Sequence, residues 1–144
     1  MKRLIVVVND LERSGKTCVS RAIYHHLDSI CDVKTYLVTS DEENIDEEMG
    51  MGYWDLDEGL SPRAVIKLLD KYDAVVADIH TGGARTWADF CESTQLDNRL
   101  SENGAEMTLV IPNTGGTRCN EEIIDLVELF SDSADYLITH LAMH

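Results

Sequence analysis

Three consecutive residues, Gly15, Lys16 and Thr17, have the types and spacing that bind the phosphates of a nucleotide. They follow a run of branched apolar residues, 4–8, which predicts a strand buried on both faces. The chain then turns into a predicted helix, whose first amide groups and positive dipole end can hold a phosphate. In such a loop Lys16 contacts the terminal phosphates and the Thr17 hydroxyl joins the coordination shell of Mg²⁺. The predicted phosphate-binding residues are Arg13, Ser14, Gly15, Lys16, Thr17 and Cys18.

The first half of this loop departs from the usual phosphate-loop pattern. The pattern places a glycine five residues before Gly15, where this chain has Asp10. A simpler interpretation is therefore a strand, a turn and a helix, with Lys16 merely exposed at the corner. Apolar residues at helical spacing support a helix directly after the loop, and they are Val19, Ala22, Ile23 and Leu27.

A second candidate element is the apolar run of residues 74–78, which ends in Asp78. A carboxylate at the carboxyl end of a buried parallel strand lies where open α/β sheets bind their ligands. In a phosphate-loop protein this carboxylate holds Mg²⁺, usually through water. Glycine at position 82 would leave the backbone free to contact a terminal phosphate and to respond to its presence. The alternative is that Asp78 only caps the next helix.

Strand and helix signals alternate along the chain and predict the elements that position these residues. The predicted strands cover residues 4–8, 33–39, 74–78, 107–112 and 136–139. The predicted helices cover residues 16–27, 62–72, 84–100, and 117 or 120 to 130. This order is typical of an α/β fold, here a three-layer α/β/α sandwich with a mainly parallel sheet of about five strands. At 144 residues the chain is expected to form a single domain, 1–144.

The segment from 41 to 58 contains nine acidic residues, no basic residue and two glycines. This composition disfavours packing and predicts a long mobile loop, which in compact domains often carries function. A solvated linker is the alternative interpretation. Tyr53 and Trp54 are expected either to cover a ligand or partner, or to anchor the loop onto the core.

Composition excludes some classes of function. The formal net charge of −15 repels polyanions, so direct DNA binding is disfavoured, whereas a basic partner protein is compatible with it. An acidic surface is also a simple route to solubility. No apolar run is long enough to cross a membrane or to act as a signal peptide, so a cytoplasmic protein without membrane contact is expected. The scattered cysteines, predicted to be small buried apolar residues, are Cys18, Cys31, Cys91 and Cys119.

Together these motifs resemble those of the ParA/MinD family of phosphate-loop ATPases, which position plasmids, division machinery and other cargo. The resemblance implies a P-loop NTPase type of fold that binds ATP and Mg²⁺. It assigns catalysis to Lys16, Asp41 and Asp78, with Asp41 orienting the attacking water. It assigns the metal to Thr17 and Asp78. The matching segments are 4–8, 15–17, Asp41, 74–82, 109–112 and 136–140, in which Gly82 would sense the γ-phosphate and His140 stands where the family reads adenine.

The same resemblance implies a weak ATPase that acts as a nucleotide-dependent switch in plasmid maintenance, mobilisation or intracellular positioning. It also implies a protein partner, such as a basic adaptor or DNA-binding protein, and a nucleotide-dependent homodimer. This chain departs from the family at several positions. Leu11 replaces the signature loop lysine, for which Arg13 is a candidate substitute, and His140 replaces the expected asparagine.

Two other functions remain open from the sequence. One is a small-molecule kinase, or a ligase similar to dethiobiotin synthetase, which would hold its substrate near residues 113–117. The other is a non-enzymatic interaction module that has lost nucleotide binding through Asp10, Leu11 and Glu12. Such a module would use the acidic residues 41–58 as its docking surface.

Overall fold

The computed structural model describes residues 2–9, 16–30, 32–113 and 115–140, with His140 as backbone only. These residues form one six-stranded sheet in which all neighbouring strands are parallel. The strands are β1 Lys2–Val7, β2 Thr35–Thr39, β3 Gly52–Tyr53, β4 Ala74–Asp78, β5 Ala105–Asn113 and β6 Asp135–His140. The α-helices are α1 Lys16–Asp28, α2 Pro62–Lys71, α3 Ala84–Thr94, α4 Leu96–Glu102 and α5 Thr117–Phe130.

The strand order is β3-β2-β4-β1-β5-β6, which places β1 between β4 and β5. After β1 the chain builds one half of the sheet from β2, β3 and β4. It then passes β1 and adds β5 and β6 on the other side. The direction of building therefore reverses at β1, and open α/β sheets bind their ligands at the carboxyl ends of the strands at such a point.

Apolar side chains cover both faces of the sheet, as the unbroken apolar runs predict. One face packs against α1 through a cluster formed by Val7, Val19, Leu37, Val76 and Val110. The other face lies beneath the remaining helices, whose buried contributions include Leu69, Trp87, Leu100 and Phe130. This arrangement is compatible with the predicted three-layer sandwich. The strand count differs from the predicted five because β3 adds a short sixth strand beside β2.

Two helix signals in the sequence have different outcomes. The start of α2 is confirmed, since Pro62 is in its first turn and the Ser61 hydroxyl accepts a hydrogen bond from the Ala64 N–H at 3.1 Å. The single helix predicted over 84–100 is wrong. Gln95 adopts a left-handed conformation with φ 51° and separates α3 from α4. Leu96, the first residue after the break, is fully buried.

The acidic segment 41–58 is more ordered than its composition predicts. It contains two short 3₁₀ turns, Glu42–Asn44 and Glu47–Met49, followed by β3. Trp54 is only 6% exposed and stacks on Trp87 with ring centroids 5.7 Å apart. Of the two roles expected for the aromatic residues, Trp54 therefore anchors the segment onto the core, whereas Tyr53 is 42% exposed.

The prediction that the cysteines are buried is confirmed for some of them and wrong for another. Cys91 and Cys119 are buried as predicted, and burial raises the pKa of the Cys91 thiol. The prediction is wrong for Cys18, which is exposed near the start of α1, where the helix surface faces solvent. Cys31 lies outside the described residues.

Among the helices of residues 2–9, 16–30, 32–113 and 115–140, none combines the length and the apolar character needed to cross a membrane.

Replacing Trp54 by alanine should lower the free energy of unfolding by about 3 kcal/mol, because it removes a buried ring and leaves a cavity against Trp87. Tyr53→Ala is the matched control, and its effect should be smaller, about 1 kcal/mol or less, because 42% of Tyr53 is exposed. Urea denaturation of both variants measures the two values. Equal losses in the two variants would contradict the anchoring role of Trp54.

Candidate functional site

The candidate site lies at the carboxyl ends of β1, β2 and β4. Asp78, the last residue of β4, pairs in register with Val7 of β1 on one side and with Thr39 of β2 on the other. The first turn of α1 and the loops that follow β2 and β4 therefore converge at one edge of the sheet. This convergence brings together side chains that are up to 65 residues apart in the chain.

Asp78 and Thr17 are joined across this edge. The Thr17 hydroxyl donates a hydrogen bond to Asp78 Oδ2 at 2.9 Å. Asp78 is only 3% exposed, and its other carboxylate oxygen, Oδ1, is buried without a hydrogen-bond partner in the part of the chain that the structure describes. A buried carboxylate oxygen in this state is costly unless a cation or a donor reaches it. The predicted pairing of Thr17 with Asp78 at one site is thus a feature of the structure.

The environment of Asp78 favours the protonated carboxyl group. Burial raises the pKa of Asp78, and the nearby Asp41 carboxylate raises it further, while the hydrogen bond from Thr17, the Lys16 ammonium and the neighbouring Ser20 hydroxyl act in the opposite direction. The hydrogen of the Ser20 hydroxyl is itself donated to the Lys16 carbonyl at 2.8 Å. The net shift is upward, so the attraction of the neighbouring groups does not fully offset the loss of water. An additional positive charge at this point would stabilise the ionised form.

Lys16 is buried, which contradicts the simpler interpretation of an exposed lysine at a corner. Its side chain is 8% exposed, and Nζ donates a hydrogen bond to the Thr81 hydroxyl at 2.9 Å. Thr81 directly precedes Gly82, whose φ of +90° is strained for any residue with a Cβ atom. The Lys16 ammonium is therefore held over the loop that follows β4, where the sequence predicts contact with a terminal phosphate.

Asp41 is linked to Thr17 through the side chain of Asn44. Its Oδ1 caps the first 3₁₀ turn by accepting the Glu43 N–H at 3.0 Å. The amide of Asn44 donates to Asp41 Oδ2 and to the Thr17 hydroxyl, both at 3.4 Å. Asp41 and Thr17 are thus bridged by Asn44, and one of the two Asp41 oxygens is already engaged in the cap.

A further contact links the loops after β2 and β4. The Ser40 hydroxyl lies 2.6 Å from Nδ1 of His80 and accepts the His80 backbone N–H at 2.8 Å. Ser40 is 8% exposed and follows Thr39, the last residue of β2. The two loops are therefore held together beside Asp78.

The other predicted site residues have separate outcomes. Arg13, Ser14 and Gly15 lie outside the described residues. Cys18 is exposed on α1, one residue after Thr17. His140 ends β6 opposite Asn113, and only its backbone is described.

The donor set suits a cation that keeps most of its own water. Within the described ranges no group of three or more His, Cys, Asp or Glu side chains is placed to hold a metal ion. Mg²⁺ does not need such a group, because it commonly binds one or two carboxylates and completes its shell with water and substrate phosphates. Asp78 Oδ1, which meets no hydrogen-bond partner in the described part of the chain, belongs to the carboxylate that Thr17 contacts and fits that requirement.

No protein-family model matches the chain, and no curated protein sequence matches it either. The interpretation of the site therefore depends on the residues and their geometry.

Sequence reasoning missed three contributors to the site, namely Ser40, Asn44 and the Thr81 hydroxyl. Each is a small polar residue in a loop next to a predicted site residue, and such residues are common in any loop. Only their positions in the sequence indicate a role at the site: Ser40 and Asn44 closely follow a predicted strand end, and Thr81 lies between Asp78 and Gly82. The partner of each became identifiable only when the strand order was known.

The raised pKa of Asp78 predicts how the stability of an Asp78→Asn variant depends on pH. The folded state keeps the Asp78 proton to higher pH than the unfolded chain, so the contribution of Asp78 to wild-type stability falls as pH rises from about 4 through the folded pKa. Asparagine does not titrate. The free energy of unfolding of the variant minus that of wild type should therefore increase between about pH 4 and 7. Urea denaturation without divalent cations measures this difference, and a difference that is flat or falls with pH would contradict the assignment.

Proposed function

We propose that this protein binds a nucleoside triphosphate together with Mg²⁺, with ATP as the expected nucleotide, and acts as a nucleotide-dependent switch similar to ParA/MinD ATPases. The observation that carries the proposal is the hydrogen bond from Thr17 to Asp78, beside an Asp78 oxygen that has no hydrogen-bond partner among the described residues. Two residues from separate segments, both predicted as Mg²⁺ ligands under the phosphate-loop interpretation, lie in contact although they are far apart in the chain. The buried Lys16 next to them supplies the charge for a terminal phosphate.

The hydrogen bonding of Thr17 supports its role at the cation. Its hydroxyl hydrogen is directed to Asp78 and one lone pair of its oxygen accepts the long bond from the Asn44 amide, so the second lone pair remains for a metal ion. Asp78 would contribute through Oδ1, directly or through a water molecule. When bound, Mg²⁺ would neutralise charge on the β- and γ-phosphates.

Lys16 would contact the terminal phosphates by leaving the Thr81 hydroxyl. A neutral hydroxyl is a weaker partner for an ammonium group than a phosphate oxygen, so this exchange is favourable when nucleotide is present. It would free the Thr81 side chain and the adjacent Gly82 backbone to respond to the γ-phosphate. Lys16 thus couples the occupancy of the site to the loop after β4.

Asp41 is proposed to orient the attacking water, with Asn44 holding it near Thr17. Because Asp41 Oδ1 also caps a 3₁₀ turn, the carboxylate has limited freedom to move toward a nucleotide. This restriction is consistent with the slow hydrolysis expected of a switch. The loops after β2 and β4 would present the nucleotide state to a protein partner or to a second copy of the chain.

The acidic surroundings affect how nucleotide could bind. The first five residues of the segment, 41–45, carry three carboxylates close to the site, in a chain of net charge −15. These charges would repel a free nucleotide, so binding should require Mg²⁺ and should strengthen when added salt screens the repulsion.

We expect ATP with Mg²⁺ to raise the melting temperature of the wild type, because a ligand of the native state stabilises it by about 2.7 kcal/mol at 100 times its Kd. Lys16→Ala should remove this shift, and Asp78→Asn should remove its dependence on Mg²⁺. Lys67→Ala, which replaces an exposed lysine on α2, is the matched control and should respond like wild type. Thermal unfolding with ATP, ADP and GTP, each with and without Mg²⁺, measures the effect.

Retained ATP stabilisation in Lys16→Ala would contradict the assigned role of Lys16. The absence of any nucleotide shift in the wild type would contradict the proposed function and favour the interaction module. Circular dichroism of each variant distinguishes lost binding from lost folding.

A further inference from the structure

The contact between Ser40 and His80 has no role in the proposed binding of Mg²⁺ or phosphate. Ser40 directly follows β2 and directly precedes Asp41. His80 lies between Asp78 and Thr81, the residue that holds Lys16. The contact therefore connects the loop that carries Asp41 and Asn44 to the loop that would respond to a terminal phosphate.

The hydrogen bonding of this pair is directional. Ser40 Oγ accepts the backbone N–H of His80 at 2.8 Å. With the ring hydrogen of His80 on Nε2, the hydrogen of the same hydroxyl is donated to Nδ1, which lies 2.6 Å away. One serine side chain thus holds both the backbone and the ring of a single residue, and displacement of His80 strains two hydrogen bonds at once.

Packing around the ring also restricts its position. A Cβ atom added at Gly83 would lie 2.8 Å from His80 Cε1 and 2.9 Å from Ile79 Cγ2, so only glycine allows the ring to lie this close to the backbone. Ser40 also donates its own backbone N–H to the Asp78 carbonyl at 3.0 Å. The pair is therefore built into the end of the sheet, next to the carboxylate at the centre of the site.

We propose that Ser40 and His80 act as positioning residues that couple the two loops of the nucleotide site, an inference that rests on the proposed function. When Lys16 exchanges Thr81 for a terminal phosphate, the released loop shifts, and His80 carries that shift to Ser40. The movement reaches Asp41 and Asn44, the residues that adjoin Thr17. The terminal phosphate thereby controls the position of the residues proposed to orient the attacking water.

The test compares three variants with wild type. Ser40→Ala removes both hydrogen bonds, whereas His80→Ala removes the bond to the ring and keeps the one from the His80 backbone N–H. His80→Asn keeps both, because the side-chain oxygen of asparagine can occupy the place of Nδ1 and accept the Ser40 hydrogen bond, while the rest of the ring is absent. The measurements are steady-state ATP hydrolysis, Kd values for MgADP and for MgAMP-PNP, and hydrogen exchange of segment 41–49 in each bound state.

We expect wild type to show greater protection of segment 41–49 with MgAMP-PNP than with MgADP. In Ser40→Ala and His80→Ala this difference should disappear and kcat should fall about tenfold, as expected from loss of one or two hydrogen bonds in the positioned state. KM and the Kd for MgADP should change by less than about threefold, because no phosphate or Mg²⁺ ligand has been altered. His80→Asn should restore kcat and the difference in protection.

The possible failures are distinguishable. If wild type binds nucleotide as proposed, but Ser40→Ala keeps the wild-type kcat and the wild-type difference in protection, the coupling role is wrong and the proposed function stands. If His80→Asn is as impaired as His80→Ala, the ring acts by contacts other than that with Ser40, and the coupling role is wrong. If wild type binds no nucleotide, the proposed function fails and the inference fails with it.

Discussion

The buried carboxylate of Asp78 is the constraint on which the candidate site depends. It exists because β4 lies directly beside β1, so the end of β4 faces the first turn of α1. An ionised group in this position lacks the water that would normally solvate it, and the surrounding hydroxyl and ammonium groups compensate only in part. The burial of this carboxylate therefore lowers the free energy of unfolding, and the proposed cation would restore part of that loss. Such local cost is common where a protein binds a ligand, because groups arranged for the ligand are incompletely satisfied without it.

The charge distribution places this site in an unusual setting. The chain is strongly acidic, yet Lys16 is buried beside Asp78 at the sheet edge. Burial in a low-dielectric region strengthens the interaction of Lys16 with any anion that enters, whereas the exposed carboxylates outside are screened by solvent and salt. Lys16 can therefore attract an anion at short range although the exposed carboxylates repel the same anion at longer range. The combination favours a ligand whose charge is already partly neutralised by a metal ion.

The acidic segment is held at both of its ends. Asn44 contacts Thr17 near the start, and Trp54 stacks on Trp87 at the far end. The backbone N–H of Trp54 donates to the carbonyl of Thr39 at 2.9 Å, so the chain leaves and returns beside the same strand. A segment whose two ends lie beside the same strand resembles a compact Ω-loop, and such loops often carry function on a rigid scaffold. Its acidic residues are consequently presented at a defined place next to the site.

Local signals in the sequence determined most of the elements. Unbroken apolar runs predicted the buried strands, helical spacing predicted α1, and Ser61-Pro62 predicted the start of α2, because these patterns act within a few residues. Residue type and position also singled out Lys16, Thr17 and Asp78 as candidate site residues. The break at Gln95 could not be predicted from the sequence, because no strong local signal marks a glutamine in the left-handed conformation. The conformation is tolerated where burial of the following residues requires it.

Only the tertiary structure decided which of these residues meet. The order of the strands, which local patterns do not encode, places Asp78 against Thr17 and brings His80 to Ser40 across 40 residues of chain. The same is true of Trp54, whose role depends on the presence of Trp87 beneath it. Hydrogen bonds and stacking act over a few ångströms, so they are fixed by the packing of distant segments. The sequence by itself therefore determined the kinds of groups available, and the fold decided which of them form a site.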